Sequence, residues 1–337
     1  MSINLSIRLI ILILLTFSSC ITFAFLPEEL AVDHNGQKPT IDLDKQTKKP
    51  PSNSISDKSY IESYNWLKKR FPFESKYSVR FSIILKFHFP TYVDLRDKFP
   101  EPYEQGNLGS CAANAIASVI QFIRRKEGLE DYTPSRLMLY YLARQYRGTI
   151  TQDRGVYITE GVRALCEYGT CSETLWPYEI EKRFKAKPSP ECFEAARLAR
   201  ICENIIPFPL KQTAKSFKMA LVNSQPVILT TRLYDSFYSN EAKKTGVIPF
   251  PNVKKDKKIE SHALTLVGYN DFKQCFIVRN SWGLGWGDKG YCYMPYKYIL
   301  NKKLTYDCWS LARAPLISPP FFRPTIRELS PLKKDWG

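Results

Sequence analysis

The chain has 337 residues, 44% hydrophobic and 24% charged, and its 20 Tyr, 20 Phe and 6 Trp can fill a substantial core. That composition excludes wholesale disorder, and only 15 Gly exclude a collagen repeat. The net charge of +16 is spread along the chain rather than gathered into a stripe, and no nucleic-acid-binding motif accompanies it, so no nucleic-acid partner is required.

After Arg8 comes an apolar run from Leu9 to Phe17, followed by Ser18-Ser19-Cys20-Ile21-Thr22-Phe23-Ala24. A charged start, a short apolar stretch and a small-residue exit are the pattern of a secretory signal over residues 1–24. Reading on to Leu26 gives a marginal span, which leaves an uncleaved signal anchor open, as the Ser18-Ser19-Cys20 triplet leaves lipidation open. The expected location is secreted, lumenal or otherwise extracytoplasmic, with a membrane tether through residues 9–26 as the variant.

Nine cysteines in a chain routed this way suggest disulfides. Cys171 and Cys192, on either side of a proline-containing loop, are either one such bridge or two half-buried thiols. The chain lacks a CxxC pair and has only His34, His88 and His262, so neither a structural zinc nor any other metal or cofactor is expected.

Residues 25–89 read as a spacer or pro-segment. Up to about residue 60 they are poor in aliphatics; then Tyr60, Tyr64, Leu67 and Phe71 recur at helical spacing and predict one short amphipathic helix. Thr133-Pro134 has the cap and first-turn proline of a helix start, and Thr159 to Gly169 runs from a capping hydroxyl to a terminating glycine. From residue 226 the character changes. Pro226–Thr231, His262–Tyr269, Gln274–Arg279 and Gly290–Met294 are short β-branched or aromatic runs between turn residues, which read as antiparallel strands. Helices first and sheet second predict an α+β module over residues 90–311, two lobes with a cleft between them. Residues 312–337 carry five prolines and predict an extended tail.

The segment Gln105-Gly106-Asn107-Leu108-Gly109-Ser110-Cys111 opens a helix whose apolar face is Ala112, Ile116, Val119, Ile120 and Ile123. Cys111 therefore stands at a helix N-terminus, where free amide N–H groups and the positive end of the dipole favour thiolate. A lone cysteine there would ordinarily be a small buried hydrophobe. Its company points elsewhere: two glycines allow a tight turn, and Gln105 offers an amide donor beside the thiol, the layout for attacking a carbonyl and holding the oxyanion.

His262 is the only histidine downstream of Cys111. The runs around Asn270-Asp271-Phe272 predict a hairpin centred on Asp271, which sets His262 directly opposite Asn280. An amide in that place would fix the imidazole's orientation, and Trp282 would shield the contact from water. A helix-opening Cys and a His-Asn pair then form nucleophile, base and orienter across a cleft.

These residues resemble the papain family of cysteine proteases. The likeness rests on Gln105 to Cys111, on His262 lying 151 positions beyond the cysteine, and on Asn280-Ser281-Trp282-Gly283, and it runs from about Pro90 to Trp309. Within the family it is strongest for the bacterial and viral branch. The resemblance implies a papain-like fold, with a helical lobe and an antiparallel β-barrel-like lobe. It implies Gln105 as oxyanion donor, Cys111 as nucleophile, His262 as acid-base and Asn280 as its orienter. It further implies Trp282 as the cover of the His-Asn contact, and Asp153-Arg154-Gly155 as the edge that meets substrate backbone.

Leu108 stands where many cathepsins have cysteine, Ala112 where a bulky Trp commonly follows the nucleophile, and Ser261 where plant enzymes have Asp before the histidine. No histidine pair lies between Cys111 and His262, so endopeptidase is expected rather than dipeptide trimming. The expected product is a monomeric protease acting on peptides or proteins, made as a zymogen if residues 25–89 occlude the cleft. Rivals are a binding protein on a retired protease scaffold and an acyl transferase or transpeptidase using the same triad.

Overall fold

The computed structural model describes residues 57–71, 89–199 and 204–313. The expected signal or anchor, the rest of the arm and the proline-rich tail lie outside the described residues. The helix announced by Tyr60, Tyr64 and Leu67 forms as α1, Asp57–Arg70, with Lys68, Lys69 and Arg70 at the C-terminal end that favours cations. Then come α2 (Cys111–Lys126), α3 (Arg136–Arg147), α4 (Ile158–Tyr168), the short α5 (Ile180–Arg183) and α6 (Pro190–Leu198).

Two predicted helix starts shift. The cap of α3 is Ser135, whose hydroxyl accepts from the Met138 N–H at 3.2 Å, while Pro134 forms a bridge with Ser172. At α4 the helix begins before Thr159, and the Glu160 carboxylate turns back to accept from the Tyr157 N–H at 2.8 Å. The Thr159 hydroxyl instead donates to Asp307 at 2.7 Å. In each case a nearby polar side chain satisfied the first-turn donors better than the residue first in sequence.

The second half holds β2 (Ile205–Pro209), α7 (Ala214–Val222), β3 (Val227–Tyr234), α8 (Asn240–Thr245), β4 (Lys258–Asn270), β5 (Cys275–Arg279), β6 (Tyr291–Pro295), α9 (Tyr296–Ile299) and β7 (Thr305–Arg313). With β1 (Tyr92–Asp94) on β4, they make one antiparallel sheet in the order β2-β7-β3-β4-β5-β6. The barrel-like expectation is corrected here: the end strands β2 and β6 do not pair, and the sheet stays open. Pro207 and Pro209 remove donors from the β2 edge, and the segment after α8 covers β6, where Tyr293 exchanges backbone hydrogen bonds with Gly246 and Ile248 at 2.8 and 3.1 Å.

Strand β4 divides the core. Ala263 and Val267 pack with the buried face of α2 to α4, whereas Leu264 and Leu266 join Phe217, Phe276, Val278 and Trp286 on the other side. Period-two alternation lets one strand serve two apolar clusters. Helix α1 belongs to the first cluster. Leu67 is fully buried there, Ser59 donates to Glu160 at 2.6 Å, and Tyr60 and Tyr64 meet Tyr157 and Trp309 edge-on with ring centres 5.1 and 6.0 Å apart.

The β4–β5 hairpin forms with a register different from the expected one. Asn270 pairs with Cys275 and Gly268 with Ile277; after an irregularity at Val267, Leu266 pairs with Val278 and Thr265 with Arg279. Extending that register sets Asn280 across from Leu264, two residues from His262. An even shift keeps both residues on one face, so the contact survives as a diagonal one.

Candidate active site

The loop before α2 is tied down on both sides. Gln105 donates its backbone N–H to the Ser281 carbonyl and Gly283 donates to the Tyr103 carbonyl, both at 2.9 Å, which joins it to the Asn280–Gly283 block. Gly106 has φ +60°, a conformation that favours glycine. At Gly109 the need is space: a Cβ would lie 2.9 Å from an Asp153 carboxylate oxygen. That carboxylate accepts the Gly109 N–H at 3.0 and 3.1 Å and the Tyr140 hydroxyl at 2.5 Å. Asp153, expected at the substrate edge, thus holds the turn that delivers Cys111.

Cys111, half-buried, is the first residue of α2, and His262, 2% exposed, reaches it from β4. The His262 Nε2 lies 2.8 Å from Asn280 Oδ1, and the same oxygen accepts the Ser281 N–H at 2.8 Å. A backbone N–H can only donate, so the shared atom is the amide oxygen and His262 Nε2 carries a proton. Nδ1 is left for the Cys111 thiol, whose ionisation is linked to that of the imidazole. Trp282 lies beside the imidazole with ring centres 5.0 Å apart.

The electrostatics follow from this contact. Burial pushes the Cys111 thiol up, but the hydrogen bond and charge of His262 outweigh it and hold the thiol below its ordinary value. Burial pushes His262 down, and its bond to Cys111, with Asn280 and Glu260, overcomes this and raises it. Each group stabilises the other's charged form, so the pair favours thiolate and imidazolium.

Gln105 is 7% exposed and lines the cleft. Its amide oxygen accepts the Ser281 hydroxyl at 2.5 Å and its nitrogen donates to the Leu108 carbonyl at 2.8 Å, which leaves one amide N–H for the cleft. The Cys111 N–H, among the unpaired donors of a helix start, is the natural second donor.

Beneath Cys111 lies a polar network that sequence reasoning missed. Ser110 and Tyr178 hydroxyls are 2.5 Å apart, Tyr178 donates to the Gln105 carbonyl at 3.0 Å, and Asn114 links Ser110 to Arg136, which pairs with Glu173 at 2.6 Å. The signal was absent because these residues are common polar types, scattered from 110 to 178.

Gly155, expected at the edge that meets substrate backbone, lines the cleft with φ +63°. Its N–H already donates to the Tyr140 hydroxyl and its carbonyl accepts from Arg147, both at 3.2 Å. Ser261 is exposed on the opposite wall, which it shares with Tyr306. Leu108, in place of a cysteine, is buried. Among the described residues no group of three or more His, Cys, Asp or Glu is placed to hold a metal ion, and no helix is long and apolar enough to cross a membrane.

A sequence profile of the papain family cysteine proteases matches residues 89–306, which include all four of Gln105, Cys111, His262 and Asn280. The chain belongs to the papain family of cysteine proteases. A papain-family peptidase is a hydrolase, and its substrates are peptides or proteins. The chain is 37% identical over 212 residues to an uncharacterized peptidase C1-like protein of Acanthamoeba polyphaga mimivirus, an alignment covering 61% of this chain and 68% of that one. It is 27% identical to cathepsin S of Bos taurus over 61% of this chain and 60% of that protein. Among solved structures it is similar to xylellain, a cysteine protease from Xylella fastidiosa, at 32% identity and a TM-score of 0.63, covering 69% of this chain and 89% of that one.

Proposed function

We infer that the protein is an endopeptidase that cuts peptide bonds through a Cys111 thiolate and a His262 imidazolium. The observation that carries this reading is the single imidazole held between Cys111 and Asn280, with the proton fixed on the nitrogen facing Asn280.

The Cys111 sulfur attacks the scissile carbonyl carbon, and the oxyanion lies between the Gln105 amide N–H and the Cys111 backbone N–H. His262 gives its Nδ1 proton to the leaving nitrogen, the C–N bond breaks, and a thioester remains. His262 then takes a proton from water, whose oxygen attacks the thioester; the C–S bond breaks and the thiolate-imidazolium pair is restored.

The full chain is read as an exported precursor, with residues 1–24 as its signal or anchor. Within residues 25–89, the described helix α1 packs on α4 and contributes no residue to the cleft wall, so any occlusion of the cleft belongs to the arm's other residues.

The test is labelling by an epoxide peptide inhibitor selective for activated cysteines, with peptide mass mapping, on the full chain and on His262→Ala. Adduct on Cys111 alone, lost in the variant, is expected, together with cleavage products bearing free carboxyl ends. Folded protein without adduct on Cys111 would overturn the reading in favour of a binding protein. Products carrying a new amide in place of a carboxylate would make it a transferase.

A further inference from the structure

Strand β3 is paired on both sides: Thr230 with Ala263 of β4 and with Tyr306 of β7, and Arg232 with Ser261. Alternation therefore places Thr230, Arg232, Ser261, Ala263 and Tyr306 on one face, and all five line the cleft opposite Gly155 and Tyr157. This recess has a charge imbalance. Arg147 on its far side is already neutralised by buried Glu160 at 2.8 Å. On the remaining cleft wall, Asp153 is occupied by Gly109 and Tyr140, and Glu260 by the Tyr238 hydroxyl.

Arg232 is different. The residue is half-buried, its guanidinium lies over the Tyr306 ring 6.0 Å from the centroid, and its side chain forms no ion pair or hydrogen bond among the described residues. A partly desolvated guanidinium without a carboxylate keeps its full capacity for a bidentate acceptor, and low-dielectric walls strengthen that attraction. Arg154 and Lys258, both exposed and lining the cleft, add positive potential that draws in acidic segments.

We propose that Arg232, over Tyr306, makes this recess a selectivity pocket for an acidic side chain of the bound peptide, an Asp or Glu whose carboxylate completes the missing ion pair. The proposal rests on the peptidase reading above and specifies its substrate class.

The experiment compares fluorogenic peptides identical except for Glu, Gln, Leu or Lys at each position flanking the cut bond, using wild type, Arg232→Gln and Arg232→Glu. At one position wild type is expected to prefer Glu over Gln by tenfold or more in kcat/KM, an advantage that shrinks as salt rises. Arg232→Gln removes the ratio, and Arg232→Glu inverts it toward Lys. A fold defect would lower every peptide together and leave the ratio intact, so an unchanged ratio in Arg232→Gln, or no Glu preference at any position in wild type, overturns the proposal. Binding of the same peptides to Cys111→Ala, read by fluorescence anisotropy, decides it independently of turnover. Acid-selective binding that Arg232→Gln abolishes upholds the pocket even if wild type cuts nothing, whereas turnover without selectivity removes the pocket and leaves the peptidase.

Discussion

The Ser281 hydroxyl donates to the Gln105 amide oxygen at 2.5 Å across 176 positions of sequence. That bond fixes which end of the amide is nitrogen and so aims an N–H into the cleft, where the proposed mechanism develops negative charge. Removing an oxyanion donor costs about 10²–10³ in kcat, whereas a hydrogen bond that only orients one contributes about 0.5–1.5 kcal/mol. Gln105→Ala is therefore expected to lose activity in the larger range, and Ser281→Ala to lose roughly three- to tenfold in kcat with KM little changed. Steady-state kinetics of the two variants checks this; equal losses would remove the orienting role.

The opposed shifts of Cys111 and His262 set a pH window. The lowered thiol is already thiolate below its ordinary value, and the raised imidazole keeps its proton above its own. kcat/KM should fall on the acid side as the thiolate is protonated and on the alkaline side as the imidazolium loses its proton, the second limb lying above the ordinary imidazole value of about 6.5. In His262→Ala burial acts on the thiol without the opposing bond and charge of the imidazole, so the pH needed to alkylate Cys111 should rise. Alkylation rates against pH on both proteins test it, and coincident profiles would refute the pairing.

Cys171 and Cys192 are both free and buried, and close enough for the Cys192 thiol to act on the ionisation of Cys171. Burial, then the neighbouring thiol, pushes Cys171 up, which keeps it unreactive until an oxidant arrives. Protein made in an oxidising compartment should carry a 171–192 link, found by mapping unreduced peptides, and its reduction should cost about 3 kcal/mol for a loop of this length. Two separately alkylated cysteines in such material would exclude it.

Helix α1 is part of the helical core. Leu67→Ala should destabilise by about 2–5 kcal/mol, the range for truncating a buried leucine, measured by denaturant unfolding. A chain trimmed to begin near Pro90 should be less stable than the full chain. Equal midpoints would mean that α1 contributes nothing to the fold.

The candidate catalytic residues were legible because each lies in a short run that declares its own surroundings: glycines before Cys111, an apolar run after His262, and a turn between His262 and Asn280. The register was not, because the irregularity at Val267 depends on strand pairing that local sequence does not encode. Strands β1, β2 and β7 escaped for related reasons. β1 is three residues long, β2 holds two prolines, and β7 interrupts its apolar pattern with Asp307, whose φ is +53°. Arg232 and Tyr306 meet only through the order β7-β3-β4, so no reading along the chain could join them.

The burial of Leu67 also bears on processing. A cut anywhere between residues 72 and 88 would separate α1 from the catalytic chain covalently while leaving its contacts with Glu160, Tyr157 and Trp309 in place. Such a clipped enzyme would run as two bands under denaturing conditions and travel as one particle under native ones, a noncovalent two-chain peptidase whose small chain is a structural wedge.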